Sequence, residues 1–340
     1  ELPHGYDLSV ATTLEMSFNK LSNRSKEALR IFSFLQHNSI AHRIIAAAGK
    51  NKFFYASGKA SEADNDKLDA IKAQAENLCR IFCPKGQWSE IEFHKIVEPC
   101  FQYSLLQPTT SIDGQKFYSM HILVQSWLQL QSFPEDRFPS KALTRRLLLA
   151  VAEDDLSLQR YELHQMLLPH IRPFTGVPLD VATDEHLLYQ VLDDAGDFPT
   201  ADVHLTAYLD MLKDKLVWDS RERLNGLHLH TCILMALGRD RDSLEAGKEA
   251  TELCTKAFGR EDPLTLTLMS NVGSAYLNLG QHEKAQGLME EILTLRKKVL
   301  GLEHPDTFTA MSNLASCYWQ QGLYQKAEEI DTEVLALRKR

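Results

Sequence analysis

Residues 261–340 are written twice, and that repetition restricts the fold more than any other feature of the chain. Asp262-Pro263-Leu264-Thr265-Leu266-Thr267 returns as His304-Pro305-Asp306-Thr307-Phe308-Thr309, and Met269-Ser270-Asn271 returns as Met311-Ser312-Asn313. Tyr276, Gly280, Ala285 and Leu295-Arg296-Lys297 return as Tyr318, Gly322, Ala327 and Leu337-Arg338-Lys339. Each pair is 42 residues apart, a period that belongs to stacked helical hairpins. Each unit reads as a proline at a helix start, an amphipathic helix, a glycine turn and a second amphipathic helix. Small residues at Gly273/Ala315 and Ala285/Ala327 let the two helices approach closely.

The period also runs backwards. Subtracting 42 from Gly280 gives Gly238 and then Gly196, while Ala201 and Lys213 stand where Ala285 and Lys297 do. About four helix pairs therefore fit between residue 183 and the end, and the array is expected to be cut short. One hairpin cannot bury its apolar face alone, so the array folds by stacking and leaves a concave surface. The pattern resembles the tetratricopeptide repeat in the form seen in kinesin light chains. Lys298-Val299-Leu300-Gly301-Leu302-Glu303-His304-Pro305-Asp306-Thr307 and Asn313-Leu314-Ala315 carry the resemblance. The expected fold class is mostly α: an N-terminal winged-helix domain with one β-hairpin, followed by an α-α superhelical solenoid. The expected domains are 1–133 (winged helix), 134–182 (helical bridge) and 183–340 (repeats).

The winged-helix expectation comes from residues 8–131. Helical spacing marks residues 8–19, a helix after Leu21-Ser22-Asn23, a short third helix over 40–48, and further helices over 69–82 and 89–100. Residues 102–107 and 115–120 read as strands around Asp113-Gly114, the only strands expected, and a last helix spans 121–131. Residues 140–153 and 156–171 read as two bridging helices. Met120-His121-Ile122-Leu123-Val124 after the hairpin resembles the Met-His-Asp-Leu-Val motif of NB-ARC proteins, the STAND NTPases that include fungal and plant NLR-like receptors. Four of its five letters match, with Ile122 in place of the acid. The resemblance implies that His121 senses the diphosphate of a bound nucleotide held by an NTPase domain N-terminal to Glu1. The other reading of His121 is a polar residue at a helix start.

Composition narrows the function. The net charge of −9 has its signs interspersed, and the helix over 89–100 holds Glu90, Glu92 and Glu98 against Lys95. Both argue against nucleic-acid binding, because phosphate contacts need cations, so a winged-helix DNA-binding protein is the remotest alternative. Six scattered cysteines read as reduced thiols of a cytoplasmic protein, with no metal-ligand spacing. There is no signal peptide and no membrane-spanning run. Gly49-Lys50-Asn51, Gly58-Lys59-Ala60 and Gly247-Lys248-Glu249 lack the upstream Gly and the hydroxyl of a phosphate-binding loop, so no cofactor and no enzymatic activity are expected of this chain. The acid pairs Asp193-Asp194 and Glu290-Glu291 read as solvated.

Asn271 and Asn313 occupy the same position of successive first helices, and Thr267/Thr309 and Asn278/Gln320 share their stripe. Two readings stand: a polar ladder that grips the backbone of a protein or peptide partner on the concave face, or a solvated face. The kinesin-light-chain resemblance implies cargo contact at this Asn. The sequence thus points to a non-catalytic signalling or scaffold segment of a STAND/NLR-like receptor of innate immunity. Its alternative is a plain peptide-binding adaptor, and the last repeat's open edge offers self-association.

Overall fold

A computed structural model describes residues 6–55, 60–131, 139–152, 158–176, 179 and 181–338. The chain is mostly helical, with sixteen α-helices and three short strands among the described residues, and it divides into two compact units, Glu1–Asp197 and Phe198–Arg340. The expected 133/134 boundary and Gly58-Lys59 fall outside the described residues.

In the first unit, α1 (Tyr6–Asn19), α2 (Asn23–Phe32), β1 (Ile40–Ala41), α3 (His42–Lys50), α4 (Leu68–Phe82) and α5 (Glu90–Gln102) precede the hairpin β2 (Gln107–Thr110) and β3 (Lys116–Ser119). The helix α6 (Ile122–Leu130) follows it. Two expectations need correcting here. Ile40 and Ala41 do not open a helix; they pair antiparallel with Tyr118 and Phe117, giving a three-stranded sheet of order β1-β3-β2. Residues 102–107 are not the first hairpin strand. The α5 helix runs through Pro99 to Gln102, and the strand starts at Gln107, where the chain can reach β3. The Asp113-Gly114 turn is as expected, with Gly114 at φ +83°, a conformation that excludes most side chains.

The helices read as a bridge, α7 (Ser140–Ala152) and α8 (Leu158–Ile171), lie inside this unit together with α9 (Ala182–Asp194). The α7 helix is apolar almost all round: Leu147, Leu148, Leu149, Ala150 and Ala152 are fully buried, against α2, α3, α4, α8 and α9. Its one buried cation, Arg146, donates to Asp184 Oδ1 at 3.0 Å and lies 4.2 Å from the Tyr55 ring centroid. Tyr55 donates its hydroxyl to the same Asp184 oxygen at 2.9 Å, and burial raises its pKa. Nearby, the Asp64 carboxylate accepts from the Ala182 and Thr183 amides (2.7 and 2.8 Å), which are unpaired donors at the start of α9. Asp194, read as solvated, pairs instead with buried His164 at 2.6 Å.

The second unit comprises α10 (Phe198–Lys215), α11 (Arg221–Ala236), α12 (Asp240–Phe258), α13 (Pro263–Asn278), α14 (His282–Leu300), α15 (Pro305–Gln320) and α16 (Tyr324–Arg338). The expected repeats start at 183; α9, expected to open the first of them, packs on α7 and α8 within the first unit. From α10 on, each helix packs on its sequence neighbour, and α11, α13 and α15 touch in turn as first helices of successive repeats. The period is written into the backbone: Gly238, Gly280 and Gly322 turn each hairpin at φ +69°, +71° and +77°. It is also written into hydrogen bonds. Thr265 Oγ1 donates to Gly259 O at 2.9 Å, and Thr307 Oγ1, 42 residues on, donates to Gly301 O at 2.7 Å. Asp262 and His304 each accept from the amide two residues ahead, capping α13 and α15 in front of Pro263 and Pro305. At Gly273 the Met289 side chain fills the space of a Cβ, its Cε lying 2.5 Å from where one would stand.

Removing one member of the buried pair leaves an uncompensated charge. Asp184→Ala should therefore lower unfolding free energy by about 3–5 kcal/mol, read from urea denaturation. Replacing both partners (Arg146→Met with Asp184→Leu) should recover most of that loss.

Candidate partner-binding face

The six stripe residues on α13 and α15 do not form one continuous ladder. Thr267 and Thr309 turn their hydroxyls back onto the carbonyls of Pro263 (2.8 Å) and Pro305 (3.1 Å), as threonines within helices often do. Asn271 is committed to the preceding repeat. Its Nδ2 donates to Thr231 Oγ1 at 2.8 Å and lies 3.1 Å from His228 Nδ1, both on α11. Burial lowers the pKa of His228 and so favours the neutral ring, which has an acceptor to offer. Asn278 is committed too, donating to Asp240 Oδ1 at 2.7 Å.

On α15 the same positions are open. The partners of Asn271 are His228, Thr231 and Cys232; one period on stand Ser270, Gly273 and Ser274. Ser270 and Ser274 bond their own helix, at Leu266 O (3.0 Å) and Ser270 O (3.1 Å), and Gly273 has nothing to offer. Asn313 is half-buried and Gln320 exposed, and neither amide has a hydrogen bond among the described residues. They share α15 with Trp319, which is 64% exposed and meets Tyr324 edge-on at 4.8 Å between ring centroids. Ser312, Ser316, Trp319 and Gln320 of α15 line one wall of a cleft of about 310 Å³, with Ala327 and Asp331 of α16 opposite. The arrangement offers amide donors and acceptors beside an aromatic surface, which suits peptide backbone and side-chain contact rather than bond making.

The period of 42 places Leu229 opposite Asn271, whereas the residues Asn271 bonds are Thr231 and His228. The signal was present as polar residues 40 and 43 positions back, where a neighbouring helix presents its facing side. Of the acids read as solvated, Glu290 accepts from Tyr318 Oη at 3.0 Å and Glu291 pairs with Arg260 at 2.6 Å.

His121 stands at the N-terminus of α6, exposed, its Nδ1 accepting from the Leu123 amide at 3.2 Å. The helix is fixed by buried Val124 and Leu128 and by Gln125, which donates to Ser33 O (2.7 Å) and Leu35 O (2.8 Å) beyond the end of α2. Glu92, on the helix that would read DNA, is held by Lys95 at 2.9 Å and Arg24 at 3.3 Å. No described helix is long and apolar enough to cross a membrane.

Residues 227–298 and 265–340 match the tetratricopeptide repeat family. This part of the chain is an array of such repeats. No curated protein matches the chain. Among solved structures, a Podosopora anserina protein assigned as a kinesin light chain with nearly identical TPR-like repeats is 21% identical (TM-score 0.45), covering 57% of this chain and 92% of its own. A Rap protein complexed with Competence and Sporulation Factor is 12% identical (TM-score 0.45; 81% and 75% covered). A STAND protein with a tetratricopeptide repeat sensor from Pyrococcus horikoshii is 15% identical (TM-score 0.29), and this chain spans about half of it (95% and 52% covered).

The two asparagines should separate in experiment. Asn271→Ala leaves buried partners unpaired and should lower unfolding free energy by about 1–3 kcal/mol, whereas Asn313→Ala should leave the thermal midpoint nearly unchanged. Because the folded state disfavours protonated His228, the unfolded state binds the proton first as pH falls below the ordinary value of 6.5. Stability contributed at this seam is thus complete above that pH and lost below it, and His228→Asn should flatten the pH dependence of the midpoint between 7 and 5.

Proposed function

We propose that the repeat array is a non-catalytic scaffold that holds a protein or peptide partner on its first helices, with Asn313 and Gln320 of α15 at the contact. One observation carries this reading: the polar positions that the earlier repeat uses to bind its neighbour are left with their amides free on α15. An amide that has lost water gains from any backbone group that replaces it, so an extended chain lying along α15 is the natural occupant. The tetratricopeptide match supports a protein-binding role. Asn313→Ala with Gln320→Ala should weaken a partner identified by pull-down at least about tenfold while the midpoint holds. Undiminished binding would move the site off this face.

The first unit has a fuller reading, as the winged helix of a STAND or NLR-like receptor of cytoplasmic signalling. The β1-β3-β2 sheet, with three α-helices between β1 and the β2-β3 hairpin, supports it, as does His121 exposed at the start of α6 directly after the wing. In that reading His121 meets the phosphates of a nucleotide held by another domain, and partner capture by the repeats biases the nucleotide switch. This chain then supplies no phosphate-binding loop of its own. Calorimetry with magnesium ATP or ADP on this chain should show no stoichiometric heat. Micromolar binding would overturn that division of labour.

A further inference from the structure

A second groove lies on the other set of helices. Between α12 and α14 a slot of about 410 Å³ has Met269 and Val272 of α13 as its floor and Leu288 of α14 on one side. Its existence traces to a departure from the 42-residue repeat. Where the next repeat has Leu293, packed with Phe308, Met311 and Ile330, this one has Thr251, whose hydroxyl is turned to Gly247 O at 2.7 Å. The shorter side chain lines an open slot above Met269 and Val272, at the position where the next repeat places a leucine.

The charge departs as well. Where the next repeat has Glu290, this one has Lys248, which lines the slot and lies 5.3 Å from the Tyr276 ring centroid. Lys284 lies 5.6 Å from that same centroid. Other cations at the rim are neutralised, Lys256 by Glu252 at 2.6 Å and Arg260 by Glu291 at 2.6 Å. Lys284 donates to Gln281 Oε1 at 2.8 Å, while Lys248 has no carboxylate partner among the described residues. The Lys248 ammonium in a slot whose apolar lining is Met269, Val272 and Leu288 calls for an occupant that brings both carboxylate and hydrocarbon.

We propose that this slot is a second docking groove, taking a partner segment in which Asp or Glu stands next to large apolar side chains. Glu252, Lys256 and Arg260 at its rim are exposed, so it is a surface slot that fits a peptide laid across it rather than an acyl chain enclosed within it. It is built on α12 and α14, away from Asn313 and Gln320, and does not depend on the role given to α15.

The test is selection from a displayed library of random twelve-residue peptides on the whole chain. The strongest binder is then synthesised with a fluorescent label and measured by anisotropy. Two variants copy what the chain itself carries one period later, Thr251→Leu and Lys248→Glu, so both suit the fold; a thermal melt checks this. Selected peptides should pair Asp or Glu with Leu, Ile or Phe, and each variant should weaken the binder about tenfold. Asn313→Ala should leave it unchanged. The proposal is overturned if no peptide is enriched, if enriched peptides are basic, or if neither variant weakens binding. It is overturned equally if vesicles of phosphatidylserine bind in place of peptides. Loss of binding in Asn313→Ala alone would uphold the α15 face and reject this groove.

Discussion

A two-helix hairpin has more apolar surface than it can bury against itself, and the second unit is arranged around that deficit. Each first helix must lie against the next, so the seams between repeats decide what is stable and what is left over. The seam α11–α13 is closed by polar as well as apolar contact, with the Asn271 amide between Thr231 and His228. On the next seam, Ala310, Leu314 and Cys317 of α15 share one apolar cluster with Leu266, Met269 and Leu277 of α13 and with Ala285, Met289 and Ile292 of α14.

That contrast gives one residue type two different surroundings. Asn271 and Asn313 are identical in sequence position and differ only in what faces them. Where α11 presents a hydroxyl and a ring nitrogen, the amide joins two repeats; where α13 presents a glycine and two serines bonded to their own helix, it stays free. An amide with partners fixes the seam, and one without partners keeps its hydrogen-bonding capacity. The same comparison of a repeat with its neighbour exposes the slot at Thr251, where the later leucine fills the space.

Much of the second unit was legible in the chain because the period of 42 ties distant residues together. The turn glycines, the prolines at helix starts and the paired threonine bonds recur at that spacing. In the first unit the Asp113-Gly114 turn and the helix after it were legible from local chemistry. Non-local pairings were not. The strand β1 is two residues long and exists only because β3 lies beside it. The α7 helix reads as an ordinary amphipathic segment until five other helices cover it, and Arg146 on it looks like a surface cation until Asp184 and Tyr55 meet it. Asp194 looks solvated for the same reason, its partner His164 lying thirty residues away. At Asn271 the residue type was recognised and its partners were not: a polar ladder or a solvated face was read, where the structure has a joint at Asn271 and an amide without partners at Asn313 among the described residues.

The central claim is that α15, and not α13, presents the contact surface for a partner. Amide exchange followed by mass spectrometry, with and without a captured partner, tests it most directly. Amides of residues 305–320 should slow on binding, while those of 263–278, already held between two repeats, should change little. Protection spread evenly over both helices, or confined to residues 6–131, would contradict the account.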